Sequence, residues 1–161
     1  ALPIYSRDNV PERARRVVRH GDIIWSTVRP NRRSYALLIH PRPNTLVSTG
    51  FAVLRPQHVP FSYLYAATTT AEFVGYLVAH TKGAAYPAVS QADFEKALIA
   101  LPKKDILERF NTVVEPMLLQ SETLQRMSRL LSEARALLLP RLISGELDVS
   151  EVLPPDRVAA E

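Results

Sequence analysis

The sequence predicts an α+β fold, a compact β-rich domain followed by one long coiled-coil-type helix. Three patterns predict it. Short runs of β-branched and aromatic residues, bounded by Pro, Gly and Asn, fill much of residues 21–56. Apolar residues at spacings of three and four then take over between Phe61 and Leu77. From Ile106 to Leu138 the apolar positions step by four and three in strict alternation.

Taken in order, residues 1–20 are polar and basic, with Arg13, Arg15, Arg16 and Arg19 crowded into a short segment. Gly21-Asp22 punctuates the chain, and Ile23 to Val28 is rich in strand formers, ended by Pro30-Asn31. Tyr35 to Ile39 reads as a second strand that stops at His40-Pro41. Leu46 to Leu54 reads as a third, with Gly50 at a bulge or close approach. Phe61, Leu64 and Tyr65, then Phe73, Tyr76 and Leu77, predict two short helices; Thr70 starts the second and Lys82-Gly83 stops it. Tyr86 to Val89 returns to an extended form. Ser90 is placed to cap a turn through Phe94, and Ala97 to Leu101 reads as a last strand before Pro102.

The second part is one seam. Ile106, Phe110, Val113, Met117, Gln120, Leu124, Met127, Leu131, Ala134 and Leu138 make nine heptad steps, with Gln120 as the polar interruption. A helix over 105–140 spans about 50 Å at 1.5 Å per residue, more than a domain of about 100 residues covers. It therefore packs on its own domain or pairs with another chain or segment. Pro116 lacks a backbone donor and predicts a kink or a second start, and Pro140 with Gly145 ends the helix. The expected organisation is a domain over 1–104, the helix and its tail over 105–149, and a flexible tail over 150–161.

The bulk numbers agree with one domain and an appendage. The chain has 161 residues, 47% of them hydrophobic, which is ample for a core. No apolar run approaches the ~18 residues of a membrane span. Cysteine is absent, which excludes disulfides and thiolate metal sites and fits a cytoplasmic location. The chain begins at Ala1 within an Arg-rich stretch, and we read it as a piece of a longer protein. Its net charge of +4 hides a division: residues 1–104 carry 14 Lys/Arg against 6 Asp/Glu, whereas residues 105–161 carry 6 against 10. A cationic domain of this kind is either a solvated surface or the footprint of a polyanion.

Catalytic patterns are missing from the sequence. His20, His40, His58 and His80 lie in separate segments, so no helix-borne metal pair is expected. Five glycines supply neither a phosphate-cradling loop nor a nucleophile elbow. Asp93, Glu95 and Lys96 read as a solvated turn, and Asp22 as a turn stabiliser beside Gly21.

Four segments resemble one family. GDIIWSTVRPNRRSYA (21–36), STGFAVLRP (48–56), GAAYPAVSQADFEKALIALP (83–102) and LLSEARALLLPRLISGELDV (130–149) are similar, in this order, to the specificity subunits of type I restriction–modification systems. Such subunits typically carry two target-recognition domains, each followed by a helical spacer. The resemblance implies that this chain is the C-terminal part of such a subunit, or a degenerate one, with a recognition domain short at its N-terminal end. Where the family pattern often has Arg-Asp before the terminal leucines, this chain has Arg135-Ala136, which removes a polar contact.

The resemblance also implies a function. The subunit is not an enzyme: it reads part of a bipartite double-stranded DNA site, and its helices set the spacing and dock methyltransferase subunits. S-adenosylmethionine then belongs to the methyltransferase, and ATP with Mg to the restriction (translocase) subunit, so no cofactor and no metal is expected in this chain. The expected DNA-binding residues are Arg29, Asn31, Arg32 and Arg33, flanking a turn between strands, with Lys82, Tyr86 and Ser90 as further candidates. Phe110, Met117, Leu124, Leu131 and Leu138 are expected to face a second spacer helix from the same or another specificity chain. Arg135, Leu137, Leu139 and Leu142 are expected to dock the methyltransferase. Residue patterns alone leave a rival from another class, a self-contained coiled-coil dimer with a basic DNA-binding head that acts as a regulator.

Overall fold

The computed structural model describes residues 9–149, so the expected tail over 150–161 lies outside the described residues. Two small antiparallel sheets form the β part. One pairs β1 (Ala14–Val17) with β4 (Leu46–Ser48). The other has the order β3-β2-β5, with β2 (Ile23–Ser26) central between β3 (Tyr35–Leu37) and β5 (Phe51–Leu54). Strand alternation sends Ile23 and Trp25 inward, where neither is solvent-accessible.

Three short helices close over that face. They are α1 (Phe61–Thr68), α2 (Ala71–Ala79) and α3 (Gln91–Glu95). Phe73, Val74, Leu77, Val89 and Phe94 complete the core with Ile23, Trp25 and Ala52. The Trp25 ring lies 4.6 Å from Tyr35 and 6.0 Å from Phe73, centroid to centroid. Each large side chain buried here contributes roughly 1.5–3 kcal/mol. The Thr70 hydroxyl accepts from the Phe73 N–H at 3.1 Å, so α2 starts where the sequence predicts.

One charged group among the described residues sits inside this apolar frame. Asp22, fully buried, accepts from Arg55 Nε at 2.8 Å, from Arg55 Nη2 at 2.6 Å and from the Arg19 N–H at 2.8 Å. The carboxylate thus ties the entry of β2 to the exit of β5 and the end of β1. Its hydrogen bond raises the Arg55 pKa further above its ordinary value, against a smaller lowering by burial.

Several expectations change. The basic stretch before Gly21 contains a strand, β1, whose Arg-rich sequence hides its extended backbone. The run Leu46 to Leu54 is two strands, because a turn at Thr49-Gly50 carries the chain from the β1 sheet into the β2 sheet. Ala97 to Leu101 is not a strand: no ladder partner reaches it, and the Tyr63 hydroxyl holds it instead by donating to the Ala100 carbonyl. Helix α2 ends at Ala79, before Lys82-Gly83.

Helix α4 spans Lys104–Ile143, passes through Pro116, and continues past Pro140, whose missing donor falls in the last turn. It ends at Gly145, whose φ of 74° turns the chain so that the Leu147 N–H reaches the Arg141 carbonyl at 3.1 Å. The chain divides into two compact units at Leu119 and Gln120, within this helix rather than at its start. In the first unit the early turns of α4 pack on α1: Leu107 is buried, Phe110 lies edge-on to Tyr63 at 5.8 Å, and the Ser62 hydroxyl donates to Asn111 Oδ1 at 2.6 Å. In the second unit, residues 120–149 bury no hydrophobic side chain.

Candidate nucleic-acid interface

The basic turn after β2 is built from two left-handed arginines around one short helical turn. Arg29 has φ 50° and Arg33 φ 52°, and Pro30–Arg32 between them form a 3-10 turn. Pro30 presets the backbone of that turn and is itself buried, which anchors it in the domain. Non-glycine residues in this region cost about 1 kcal/mol each, so the surrounding bonds must hold them there. The Arg29 N–H donates to the Pro87 carbonyl at 2.8 Å, the Arg33 N–H to the Pro30 carbonyl at 2.9 Å, and the Ser26 N–H to the Ser34 carbonyl at 2.8 Å. Asn31, Arg32 and Arg33 are left exposed at the tip.

A second loop is joined to this one. Ala88 bridges both Val28 and Lys82, and the Val89 N–H donates to the Thr27 carbonyl at 2.8 Å. The Arg29 guanidinium carbon lies 5.8 Å from the centre of the Tyr86 ring, a cation–π contact that the sequence does not signal. The fold therefore brings Arg29, Asn31, Arg32, Arg33, Lys82 and Tyr86 to one end of the domain. Ser90 differs from them. Its N–H and hydroxyl both donate to Asp93 Oδ2, at 2.7 and 2.6 Å, and cap α3. These two bonds, the hydroxyl's first, hold the Asp93 carboxyl below its ordinary range, with Lys82 and His80 adding a smaller attraction.

Charge at the tip is uncompensated. None of the ion pairs among the described residues uses Arg29, Arg32 or Arg33. Neither Arg29 nor Arg33 is therefore taken up by an acid among the described residues. The buried acid of this domain, Asp22, is taken by Arg55, a pairing 33 residues apart that spacing does not reveal.

Within the first unit Leu107, Phe110 and Asn111 of the helix meet α1, whereas Met117 is exposed; in the second unit Leu124, Leu131 and Leu138 of the seam are exposed, Leu131 at 71%. Phe110, expected to face a second spacer helix, instead packs on Tyr63 of its own domain. Arg135, Leu137, Leu139 and Leu142 are exposed on several faces of the last turns. Among the described residues no group of three or more His, Asp or Glu side chains is placed to hold a metal, and no helix is long and apolar enough to cross a membrane.

No protein-family model matches the chain. It is 33% identical over 76 residues to the type I restriction enzyme MjaIX specificity subunit of Methanocaldococcus jannaschii, covering 47% of this chain and 18% of that protein. It is 22% identical over 113 residues to the HindI specificity subunit of Haemophilus influenzae, covering 68% of this chain and 25% of the relative. Among solved structures, 92% of the chain superposes on 39% of a chain from a study of the complex assembly and conformational transition of a type I restriction–modification system, with TM-score 0.59 and 30% identity. The HsdS subunit from Thermoanaerobacter tengcongensis matches over the same shares, with TM-score 0.56 and 27% identity. The chain thus spans well under half the length of the proteins it matches. By sequence and by structure its homologues are type I restriction enzyme specificity subunits, and its small β-rich domain followed by one long helix matches the fold of those structural neighbours.

Proposed function

We propose that the chain is a DNA-recognition module of a type I restriction–modification complex, non-catalytic in itself and working in the cytoplasm. One observation carries the DNA contact: a hydrogen-bonded turn that exposes Asn31, Arg32 and Arg33, with no acid among the described residues ion-paired to either arginine. Arginine forks to guanine O6/N7 and asparagine to adenine N6/N7, and both also bind phosphates. The turn lies in a segment shared with the family's general pattern, so its main role is to position the duplex. Lys82 and Tyr86 extend the same surface, while Ser90 is committed to its helix cap. The long helix sets the distance to a second half-site. Its exposed seam receives another spacer helix, and Arg135, Leu137, Leu139 and Leu142 dock the methyltransferase. That partner supplies S-adenosylmethionine chemistry, and a restriction subunit supplies ATP-driven cleavage. The regulator reading is not favoured, because the relatives are specificity subunits.

A salt titration of DNA binding tests the turn. Replacing Arg32 and Arg33 with Ala should weaken binding and lower the slope of log K against log salt by about 0.9 for each phosphate that is no longer neutralised. An unchanged slope would remove the assignment. For the helix, Leu131→Glu should abolish co-purification with the methyltransferase or change the oligomeric state.

A further inference from the structure

We infer that the outward face of β1 is a second phosphate-binding surface, continuous with the Arg29–Arg33 turn, through which the chain follows one DNA strand; this rests on the DNA-binding reading above. Exposure alternates along the segment. Ala14, Arg16 and Val18 turn inward, and Arg13, Arg15, Val17 and Arg19 turn outward. Arg16 is spent inside the fold, its Nη1 donating to the Phe51 carbonyl at 2.8 Å. The three outward arginines are largely free of acids. Arg15 Nη2 lies 3.9 Å from Glu12, between two strongly exposed side chains, and no ion pair among the described residues uses Arg13 or Arg19.

The neighbourhood is one-sided in charge. Residues 9–60 contain nine arginines and two acids, Glu12 and Asp22, with Asp22 buried against Arg55; from outside this stretch Glu95 lines the same cavity as Arg16 and Val17. A solvated surface gains nothing from such a concentration, since like charges repel, whereas a polyanion releases counterions on meeting it.

Hydrogen bonds fix where the row leads. The Thr49 N–H donates to the Arg13 carbonyl at 2.8 Å, and the Thr27 N–H and hydroxyl both donate to the Gly50 carbonyl at 2.9 Å. Arg29 follows Thr27 by two residues, so the Arg13 end of β1 adjoins the base of the basic turn. Arg13 lies in the turn before β1 and Arg19 just past its end, and the register is irregular between Ala14 and Arg16, so the row spans at most about 20 Å at roughly 3.3 Å per residue. That is the axial rise of about six phosphates on one strand. The row offers Arg13, Arg15 and Arg19 with no Asn or Gln among them, and one exposed carboxylate, Glu12, beside Arg15. It therefore suits the uniform charge of a phosphate backbone better than the mixed donor and acceptor edges of bases.

The test uses the whole chain and a short double-stranded DNA of mixed sequence, titrated between about 50 and 200 mM salt. Arg13→Ala with Arg19→Ala should lower the slope magnitude by about 1.8, two phosphates at about 0.9 each. Arg13→Lys with Arg19→Lys should restore it, with the thermal midpoint of unfolding unchanged in both. If the Arg32 and Arg33 substitutions lower the slope but the Arg13 and Arg19 pair does not, the inference fails while the DNA reading stands. A slope reduced equally in the Ala and Lys variants also overturns it, because charge is then not the cause. If the unaltered chain binds no duplex, the DNA reading falls and this inference with it.

Discussion

The two units of the chain use apolar residues in opposite ways. Among the described residues the buried hydrophobic side chains all lie between Val18 and Leu107, whereas Leu124, Met127, Leu130, Leu131, Leu137, Leu138 and Leu139 are exposed. Both regions are rich in apolar residues, and in the first Ile23, Trp25, Phe73, Val74, Leu77, Val89 and Phe94 make a core. In the second the apolar residues form a continuous surface that monomeric proteins seldom leave open. The difference separates folding from assembly: the first unit has a core of its own, and the second leaves exposed the apolar area that the proposed partner helix would cover.

The same change in the two regions should therefore have unequal results. Leu77→Ala should destabilise by about 3 kcal/mol, because a fully buried side chain leaves a cavity. Leu131→Ala should stay within about 0.5 kcal/mol. Urea or thermal unfolding of the isolated chain measures both. A loss at Leu131 that rivals Leu77 and grows with protein concentration would mean that the seam is already covered by a second copy.

Arg55→Met probes the polar joint of the first unit. It removes the partner of a fully buried carboxylate and should cost about 3 kcal/mol, somewhat below a wholly buried pair because Arg55 is 39% exposed. A loss under about 1 kcal/mol would show that the Arg19 N–H suffices for Asp22.

Two glycines give the smallest contrast. Gly21 has φ 83°, and a Cβ there would meet Phe61 Cβ at 3.1 Å; Gly145 has φ 74° with nothing within 4 Å. Gly21→Ala should cost about 2 kcal/mol, from backbone strain and the close contact together. Gly145→Ala should cost about 1 kcal/mol, from strain alone. Equal losses would mean that Phe61 yields.

How much was legible in the sequence follows the same division. A seam nine steps long survives any local ambiguity, so the helix was readable almost to its last turn. Thr70 and Ser90 announced their helices because a cap acts within three residues. Short strands were harder. In β1 the alternation of Ala14 and Arg16 with Arg15 and Val17 is masked because an inward arginine does the work of an apolar residue. The run Leu46 to Leu54 looked continuous because nothing in its residue types says that β4 and β5 pair with different partners. Ala97 to Leu101 kept the strand pattern, with Ala97 and Ile99 packed against the core, yet no neighbour offers a ladder. For the candidate interface, the basic turn was visible as a cluster of residue types. Its left-handed backbone and the Arg29–Tyr86 contact depend on the distant loop 82–88 and left no local trace.

The central claim, that this chain helps to choose a DNA sequence for a type I complex, meets its most direct test in the methylome. Methylation should be mapped across the genome with and without the gene that encodes the chain. Adenine methylation should disappear from one bipartite motif and stay unchanged elsewhere. A methylome identical in the two strains would contradict the claim.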